Sequence, residues 1–312
     1  MAEPILKIGL VGLDTSHCAA FTQILNDDQF QFHLPGALVT SLYPGGSPGF
    51  SLSRDRVKGF TDQLHTQYHL PICESLEQLA AGVDAVMLLS GDGRQHLEQF
   101  QRLACGKPVF IDKPLATSTQ EAAEILRLAD QTGTPVLSCS SLRFAAGIPE
   151  PLEPGEELVS CESFGPAAVF PDYPGLFWYG VHGIDMLFSW MGAGCKRLQA
   201  ITYPQMDVVV GEWEDGRMGV YRGTRFAANA FGCLLHTNRG AAFRQAGDTP
   251  PFYYLLLREV LDFFLTGVQK VSVEEMFAVI AFIEAAHQSM QSGGLSIETK
   301  SLQQSMLQSK GR

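Results

Sequence analysis

The first residues whose types and spacing suggest chemistry follow an apolar run, Ile5 to Val11, that ends at Gly12. In a turn of the pattern G-x-G-x-x-G, the glycines allow a tight bend, close approach of the backbone to a pyrophosphate, and close packing of helix against strand. This chain keeps Gly12 and carries Asp14 and His17 at the other two positions. The order of strand, turn and helix favours a dinucleotide-binding turn, although the carboxylate of Asp14 would take room from phosphates and repel them if it faced them.

The polar residues of this turn have a second interpretation. Asp14, Thr15 or Ser16 can form an N-cap that accepts hydrogen bonds from free N–H groups of the helix, and we favour that role over ligand contact. His17 would lie in the first helical turn, where the helix dipole disfavours its charged form. A neutral imidazole there can donate to a ligand or simply pack, and both alternatives stay open. Gly12, Asp14, Ser16 and His17 are the candidate cofactor contacts at this turn.

Further candidates follow other predicted strands. A buried strand, Val83 to Leu89, runs into Ser90 and Gly91, and a later strand runs into Asp112 and Lys113. Open parallel sheets hold their ligands at the carboxyl ends of the strands, so these four residues join the candidate cofactor site. Ordinary turn glycines and solvated strand-end side chains are the alternative explanation.

The second predicted strand, Ala37 to Tyr43, ends without the acidic residue that holds the ribose in many dinucleotide folds. Arg54 and Arg56 follow and could meet a 2'-phosphate, but two arginines on a solvated face are the commoner explanation.

The order of predicted elements positions these residues. Alternating strands and helices over about the first 140 residues predict an α/β fold with a doubly wound parallel sheet of the Rossmann type. A stretch rich in Pro, Gly and Glu at 147–155 is a predicted linker. Beyond it, a helix and successive short strands, including Ala228 to His236, predict an α+β domain with a mostly antiparallel open sheet. The predicted domains are residues 1–146 and 147–312.

Composition excludes several classes of protein. The net charge is -11 with no basic run, so nucleic acid is not an expected partner. No apolar stretch has the ~18 residues of a membrane span, and the sequence opens without a secretory signal. The 7 scattered cysteines fit a reducing compartment, and no His or Cys spacing suggests a metal site. We therefore expect a cytoplasmic protein without a metal.

Two motifs, together with the order of elements, resemble the Gfo/Idh/MocA family, named after glucose-fructose oxidoreductase and inositol dehydrogenase. Asp112-Lys113-Pro114 matches the family's E-K-P motif with Asp for Glu, and Gly180, His182 and Asp185 match its G-x-H-x-x-D motif. The resemblance covers nearly the whole chain in its order of elements. It implies hydride transfer between NAD or NADP and a sugar-like or polyol substrate, in a cleft between two domains.

The resemblance also implies residue roles. Lys113 would bind the reacting hydroxyl, and His182 would take or give its proton, because alcohol oxidation loses a proton as hydride leaves. A cationic lysine would stabilise the developing alkoxide. Arg143, Trp178 and Asp185 are the predicted substrate contacts. A solvated Lys113, a structural His182 and a packed Trp178 are the corresponding alternatives.

Departures from the family pattern motivate a second hypothesis. Asp14 and His17 alter the glycine turn, and Trp178 stands where the family often has an acid four residues before the histidine. A family member that has lost catalysis and acts as a ligand-binding or regulatory protein is the alternative to an enzyme.

Family members commonly associate through the open face of the second sheet, so the resemblance implies a homodimer or homotetramer.

Overall fold

The computed structural model describes residues 5–226 and 230–299. The strands are β1 (Leu6–Val11), β2 (Ala37–Tyr43), β3 (Ala85–Leu88), β4 (Val109–Ile111), β5 (Val136–Leu137), β6 (Leu158–Pro166), β7 (Cys195–Tyr203), β8 (Met206–Trp213), β9 (Met218–Thr224), β10 (Gly232–Thr237), β11 (Gly240–Gln245) and β12 (Ile297–Glu298). The helices are α1 (Ser16–Asn26), α2 (Ser51–Tyr68), α3 (Leu76–Gly82), α4 (His96–Leu103), α5 (Thr119–Thr132), α6 (Gly180–Met191), α7 (Phe252–Thr266) and α8 (Val273–Gln291). Short 3-10 helices cover Gly93–Gln95, Ser141–Phe144 and Gly175–Phe177.

The chain forms two compact units. Unit 1 comprises Met1–Ala116, Glu124–Ser138 and Tyr253–Val271. Unit 2 comprises Thr117–Ala123, Cys139–Phe252 and Ser272–Arg312. The boundary between residues 146 and 147 stays a prediction.

Unit 1 is built on a parallel sheet. Its described strands lie in the order β2-β1-β3-β4-β5, and every neighbouring pair is parallel. The central strands β3 and β4 are buried along their whole length, as expected for a parallel sheet covered on both faces. The predicted Rossmann-type sheet is therefore confirmed, and its parallel strands bring the residues that follow β1, β3 and β4 to one edge.

Unit 2 is built on a mostly antiparallel sheet. Its described strands lie in the order β11-β10-β6-β9-β8-β7-β12, and only the pairing of β6 with β9 is parallel among them. Helices α6 and α8 pack on this sheet, and side chains alternate between buried and partly exposed along β8. The predicted second sheet is confirmed. Residues 227–229, at the start of the predicted strand Ala228 to His236, lie outside the described residues, and β10 begins at Gly232.

Helix α6 approaches β9 closely because two of its residues lack side chains. A Cβ on Gly183 would lie 2.6 Å from Cε2 of Tyr221, and one on Gly180 would lie 3.0 Å from its hydroxyl. The ring of Tyr221 therefore fills the space beneath the helix that carries His182.

None of the helices in the described ranges combines the length and the hydropathy that a membrane span requires.

Candidate functional site

The turn between β1 and α1 lies directly against the loop after β3. Gly12 has a φ of +83°, and a Cβ at this position would lie 2.3 Å from the backbone N of Ser90. The N–H groups of Gly12 and Leu13 donate to the carbonyls of Tyr43 at 3.0 Å and Pro44 at 2.8 Å. Glycine is therefore required here both for the bend and for the close approach of the Ser90 loop.

Asp14 hydrogen-bonds within unit 1 instead of capping α1. Its Oδ1 accepts from the N–H of Gly91 at 2.8 Å, and its Oδ2 accepts from the hydroxyl of Ser53 at 2.5 Å. Burial raises the pKa of Asp14, and the two hydrogen bonds only partly offset this effect. Thr15, one of the three predicted N-cap residues, occupies the N-cap position of α1, but its side chain makes no capping hydrogen bond to the helix. The carboxylate expected to oppose phosphates is engaged by the protein.

The loop after β3 is fixed by side chains that sequence reasoning missed. The hydroxyl of Ser90 donates to Oε1 of Gln99 at 2.8 Å. The ring of His96 lies 2.8 Å from the carbonyl oxygen of Ser90 and 2.9 Å from that of Pro114. His96 therefore connects the loop after β3 to the loop after β4. Its position at the start of a helix behind a turn-forming loop was the only sequence signal.

The two arginines after β2 lie on the surface. Both Arg54 and Arg56 are exposed, and Nη1 of Arg54 donates to the carbonyl of Pro48 at 3.1 Å. This arrangement favours the solvated-face interpretation.

His17 and Asp112 form a buried pair. Nδ1 of His17 lies 2.8 Å from Oδ2 of Asp112, and both side chains are buried. The ring of His17 also packs against Phe21 and Tyr253, with centroids 5.5 and 4.7 Å apart. Burial alone would raise the pKa of Asp112, but His17 and Lys113 lower it below its usual value. The structure thus uses the imidazole of His17 for an internal contact.

Lys113 is not the solvated strand-end lysine that the sequence allowed. It follows β4 and Asp112, is joined to Pro114 by a cis peptide bond, and is 8% exposed. Burial lowers its pKa, while the carboxylates of Asp112 and Asp14 act in the opposite direction. A buried amine with acidic neighbours at the carboxyl edge of a parallel sheet is typical of a functional site.

In unit 2, His182 is hydrogen-bonded to Ser140, a residue that the sequence analysis did not identify. Its Nδ1 lies 2.7 Å from Oγ of Ser140, which follows β5. The rings of Tyr179 and Phe231 flank the imidazole, with centroids 5.2 and 6.0 Å away. Ser140 and His182 are 42 positions apart, so no local sequence pattern could reveal this contact.

Arg143 and Asp185, two predicted substrate contacts, bind each other. Nε and Nη2 of Arg143 donate to the two carboxylate oxygens of Asp185 at 2.9 and 3.0 Å. Nη2 also lies 2.7 Å from Oε1 of Glu275, a third member that the sequence analysis missed. Burial alone would lower the pKa of Arg143, but the two carboxylates raise it. These charges stabilise the segment around His182, and the predicted contact of Arg143 and Asp185 with substrate stays a prediction.

Trp178 lies in an aromatic cluster in unit 2. Its ring meets Phe170 and Tyr173 edge to face, with centroids 5.6 and 5.5 Å away, and the side chain is half-buried. Packing therefore accounts for part of its surface.

Among residues 5–226 and 230–299, no group of three or more His, Cys, Asp or Glu side chains is arranged to hold a metal ion.

A family model covers much of unit 1. Residues 54–139 match the Gfo/Idh/MocA model, described as an oxidoreductase family with an NAD-binding Rossmann fold. This stretch is therefore similar to the NAD-binding domain of that family. The nicotinamide dinucleotide predicted from the sequence is thus the cofactor class of the family's Rossmann domain, and the predicted resemblance to this family is confirmed.

A curated relative matches part of the chain. The chain is 28% identical over 140 residues to YceM of Salmonella typhimurium, an oxidoreductase candidate by its description. That alignment covers 45% of this chain but only 40% of the relative.

Solved structures match over nearly the whole chain. Myo-inositol dehydrogenase from Lactobacillus casei, in complex with NAD(H) and myo-inositol, superposes with a TM-score of 0.72 at 16% identity, covering 94% of this chain and 96% of that one. GenD2 from gentamicin A biosynthesis, in complex with NAD, gives a TM-score of 0.75 at 16% identity, covering 96% and 97%. At these identities the likeness establishes the fold.

Proposed function

We propose that this protein is an NAD(P)-dependent oxidoreductase that transfers hydride between a nicotinamide and a hydroxyl or carbonyl group of a sugar-like or polyol substrate. The observation that carries the proposal is Lys113, a buried lysine at the carboxyl end of β4 in the family's motif. Burying an ammonium group is costly unless it is paired, and the carboxylates of Asp112 and Asp14 offset part of that cost. A positive charge at this edge of the sheet would stabilise a substrate oxygen that gains negative charge.

The turn after β1 fits a dinucleotide. The side chain of Thr15, the N-cap residue of α1, makes no capping hydrogen bond, and the first turn of the helix carries no acidic residue. Oγ1 of Thr15 is buried and has no hydrogen-bond partner among the described residues. Uncapped N–H groups at a helix start are suited to a pyrophosphate, and Asp14 does not oppose one because Gly91 and Ser53 engage its carboxylate. A bound nicotinamide would supply the hydride acceptor or donor.

The residues that we expect to contact the reacting oxygen are Lys113 and His182. Lys113 would stabilise negative charge on that oxygen, and His182 would hydrogen-bond to it. Half-buried aromatic side chains near His182 in unit 2, such as Tyr179, offer ring faces to the apolar face of a sugar or polyol. The complexes of inositol dehydrogenase and GenD2 support the same substrate and cofactor classes.

The second sheet supports a proposal for assembly. Val159, Met218 and Phe243 are exposed on strands of unit 2, and such apolar side chains would be covered in a homodimer or homotetramer.

The 7 cysteines, all within the described residues, are free thiols, which supports a reducing, cytoplasmic location.

The proposal is tested by oxidation of a panel of polyols and sugars with NAD and NADP, measured as the absorbance of the reduced nicotinamide that forms. Lys113→Met should lower kcat/KM by about 100-fold or more, since a preorganised charge at the reacting oxygen is removed. Lys58→Met is the matched control, because Lys58 is exposed on α2, and it should leave activity unchanged. Equal activity of the two variants would refute the role of Lys113, and inactivity of the wild type with bound cofactor would favour the ligand-binding alternative.

A further inference from the structure

The imidazole of His182 is oriented by a hydroxyl group. Ser140 places its Oγ 2.7 Å from Nδ1 of His182. The backbone N–H of Ser140 donates to Oδ2 of Asp185 at 3.0 Å, and Asp185 in turn holds Arg143. The backbone of Ser140 is therefore anchored by the buried charged residues of unit 2, which places its side chain beside the ring.

The direction of the hydrogen bond follows from the partners of Ser140. Its Oγ already accepts from the N–H of Leu142 at 3.2 Å, and the residue is 0% exposed. A hydroxyl has one hydrogen to donate and two lone pairs to accept with. If Nδ1 of His182 carried a proton, both lone pairs would be occupied and the hydroxyl hydrogen would be buried without an acceptor. A buried donor left without an acceptor costs free energy, so the direction in which the hydroxyl of Ser140 donates to Nδ1 is favoured.

We propose that Ser140 fixes the neutral ring of His182 in the tautomer that carries its proton on Nε2, so that His182 presents a hydrogen-bond donor to a substrate oxygen. Ser140 is then a positioning residue that acts through His182. The catalytic consequence rests on the proposed function: His182 would polarise a carbonyl oxygen or hold a hydroxyl as a donor. The family resemblance alone implies only that His182 takes or gives the proton of the reacting hydroxyl.

The tautomer can be measured without substrate or cofactor. Two-bond ¹H–¹⁵N correlation spectra of the full-length protein report which nitrogen of each imidazole is protonated, and the spectrum of His182→Gln assigns the His182 signals. At a pH where the ring is neutral, we expect a pyridine-like Nδ1 and a pyrrole-like Nε2. The opposite pattern would overturn the proposal, whether or not the protein is an enzyme.

Variants separate a tautomer effect from a loss of folding. Ser140→Ala should replace the single tautomer with a mixture, while Ser163→Ala should leave the signals of His182 unchanged. Ser163 is the matched control because it is a fully buried serine of unit 2 whose Oγ has no hydrogen-bond partner in the described residues. An unchanged tautomer in a folded Ser140→Ala variant would show that Ser140 does not fix it.

Kinetics then test the catalytic consequence. With an active wild type, Ser140→Ala should lower kcat by about tenfold or more, the lower end of losses seen when a positioning partner of a functional histidine is removed. KM should change little, since the lost interaction orients His182 and does not bind substrate. An unchanged kcat would overturn the consequence. An inactive wild type with the expected tautomer would instead reject the proposed function alone.

Discussion

Removal of the carboxylate of Asp185 should strongly destabilise unit 2. This carboxylate accepts two hydrogen bonds from Arg143, at 2.9 and 3.0 Å, and one from the N–H of Ser140 at 3.0 Å. Asp185→Ala would leave the buried guanidinium with Glu275 as its remaining carboxylate, at 2.7 Å. Loss of one partner of a buried ion pair costs about 3–5 kcal/mol, and Glu275 places the expected loss at about 3 kcal/mol.

Tryptophan fluorescence during guanidinium unfolding measures this loss, because all 3 tryptophans of the chain, Trp178, Trp190 and Trp213, lie in unit 2. Asp215→Ala is the control: it removes an exposed carboxylate of unit 2 that pairs with Arg217 at 2.8 Å. A surface pair of this kind contributes about 0.2–1 kcal/mol. If the two variants lost the same free energy of unfolding, the structural role assigned to the buried charges would be refuted.

Three further predictions concern packing and pH. Gly183→Ala should lower the free energy of unfolding by about 1–3 kcal/mol, because it forces a methyl group against Tyr221; tryptophan fluorescence measures this loss. Gly59→Ala is the control, because the space around its Cβ in α2 is open. It should raise the free energy of unfolding by about 0.5–1 kcal/mol, measured by circular dichroism. A loss in both would point to a general intolerance of alanine. Tyr221→Phe should not destabilise unit 2, because the hydroxyl it removes is buried without a hydrogen-bond partner in the described residues, and a loss above about 1 kcal/mol would contradict this. The lowered pKa of Asp112 means that its ionised form contributes stability above the unfolded pKa of about 3.9, and that this contribution disappears as pH falls through the lower folded pKa. The difference in unfolding free energy between wild type and Asp112→Asn should therefore be constant from about pH 7 to pH 5 and shrink below about pH 4. A difference that grows on acidification would mean that folding raises the pKa of Asp112, which would contradict this prediction.

The sheet architecture could be predicted from the sequence because it depends on local patterns. Apolar runs such as the one before Gly12 are long enough to identify buried strands, and strand ends then place Ser90 and Lys113 at one edge of a parallel sheet. The helix predicted beyond the linker is likewise present as α6, which includes His182.

The contacts of the candidate site could not be predicted, since they join distant parts of the chain. Asp14 looked like an N-cap because only neighbouring N–H groups were considered, whereas its partner Gly91 is 77 positions away. The pairing of Arg143 with Asp185 across 42 positions likewise depends on tertiary structure. Side-chain types indicated charge and hydrogen-bonding capacity, but the fold decided which groups satisfy one another.

Cofactor binding by the purified, cofactor-stripped protein tests the central claim most directly. Titration with NADH and NADPH, followed by nicotinamide fluorescence and by melting temperature, should show micromolar binding of at least one of them. At about 100 times its Kd, a ligand that binds only the folded state adds about 2.7 kcal/mol, which is seen as a clear rise in melting temperature. Absence of binding by both, with no nicotinamide retained through purification, would contradict the account and leave a non-catalytic binding protein.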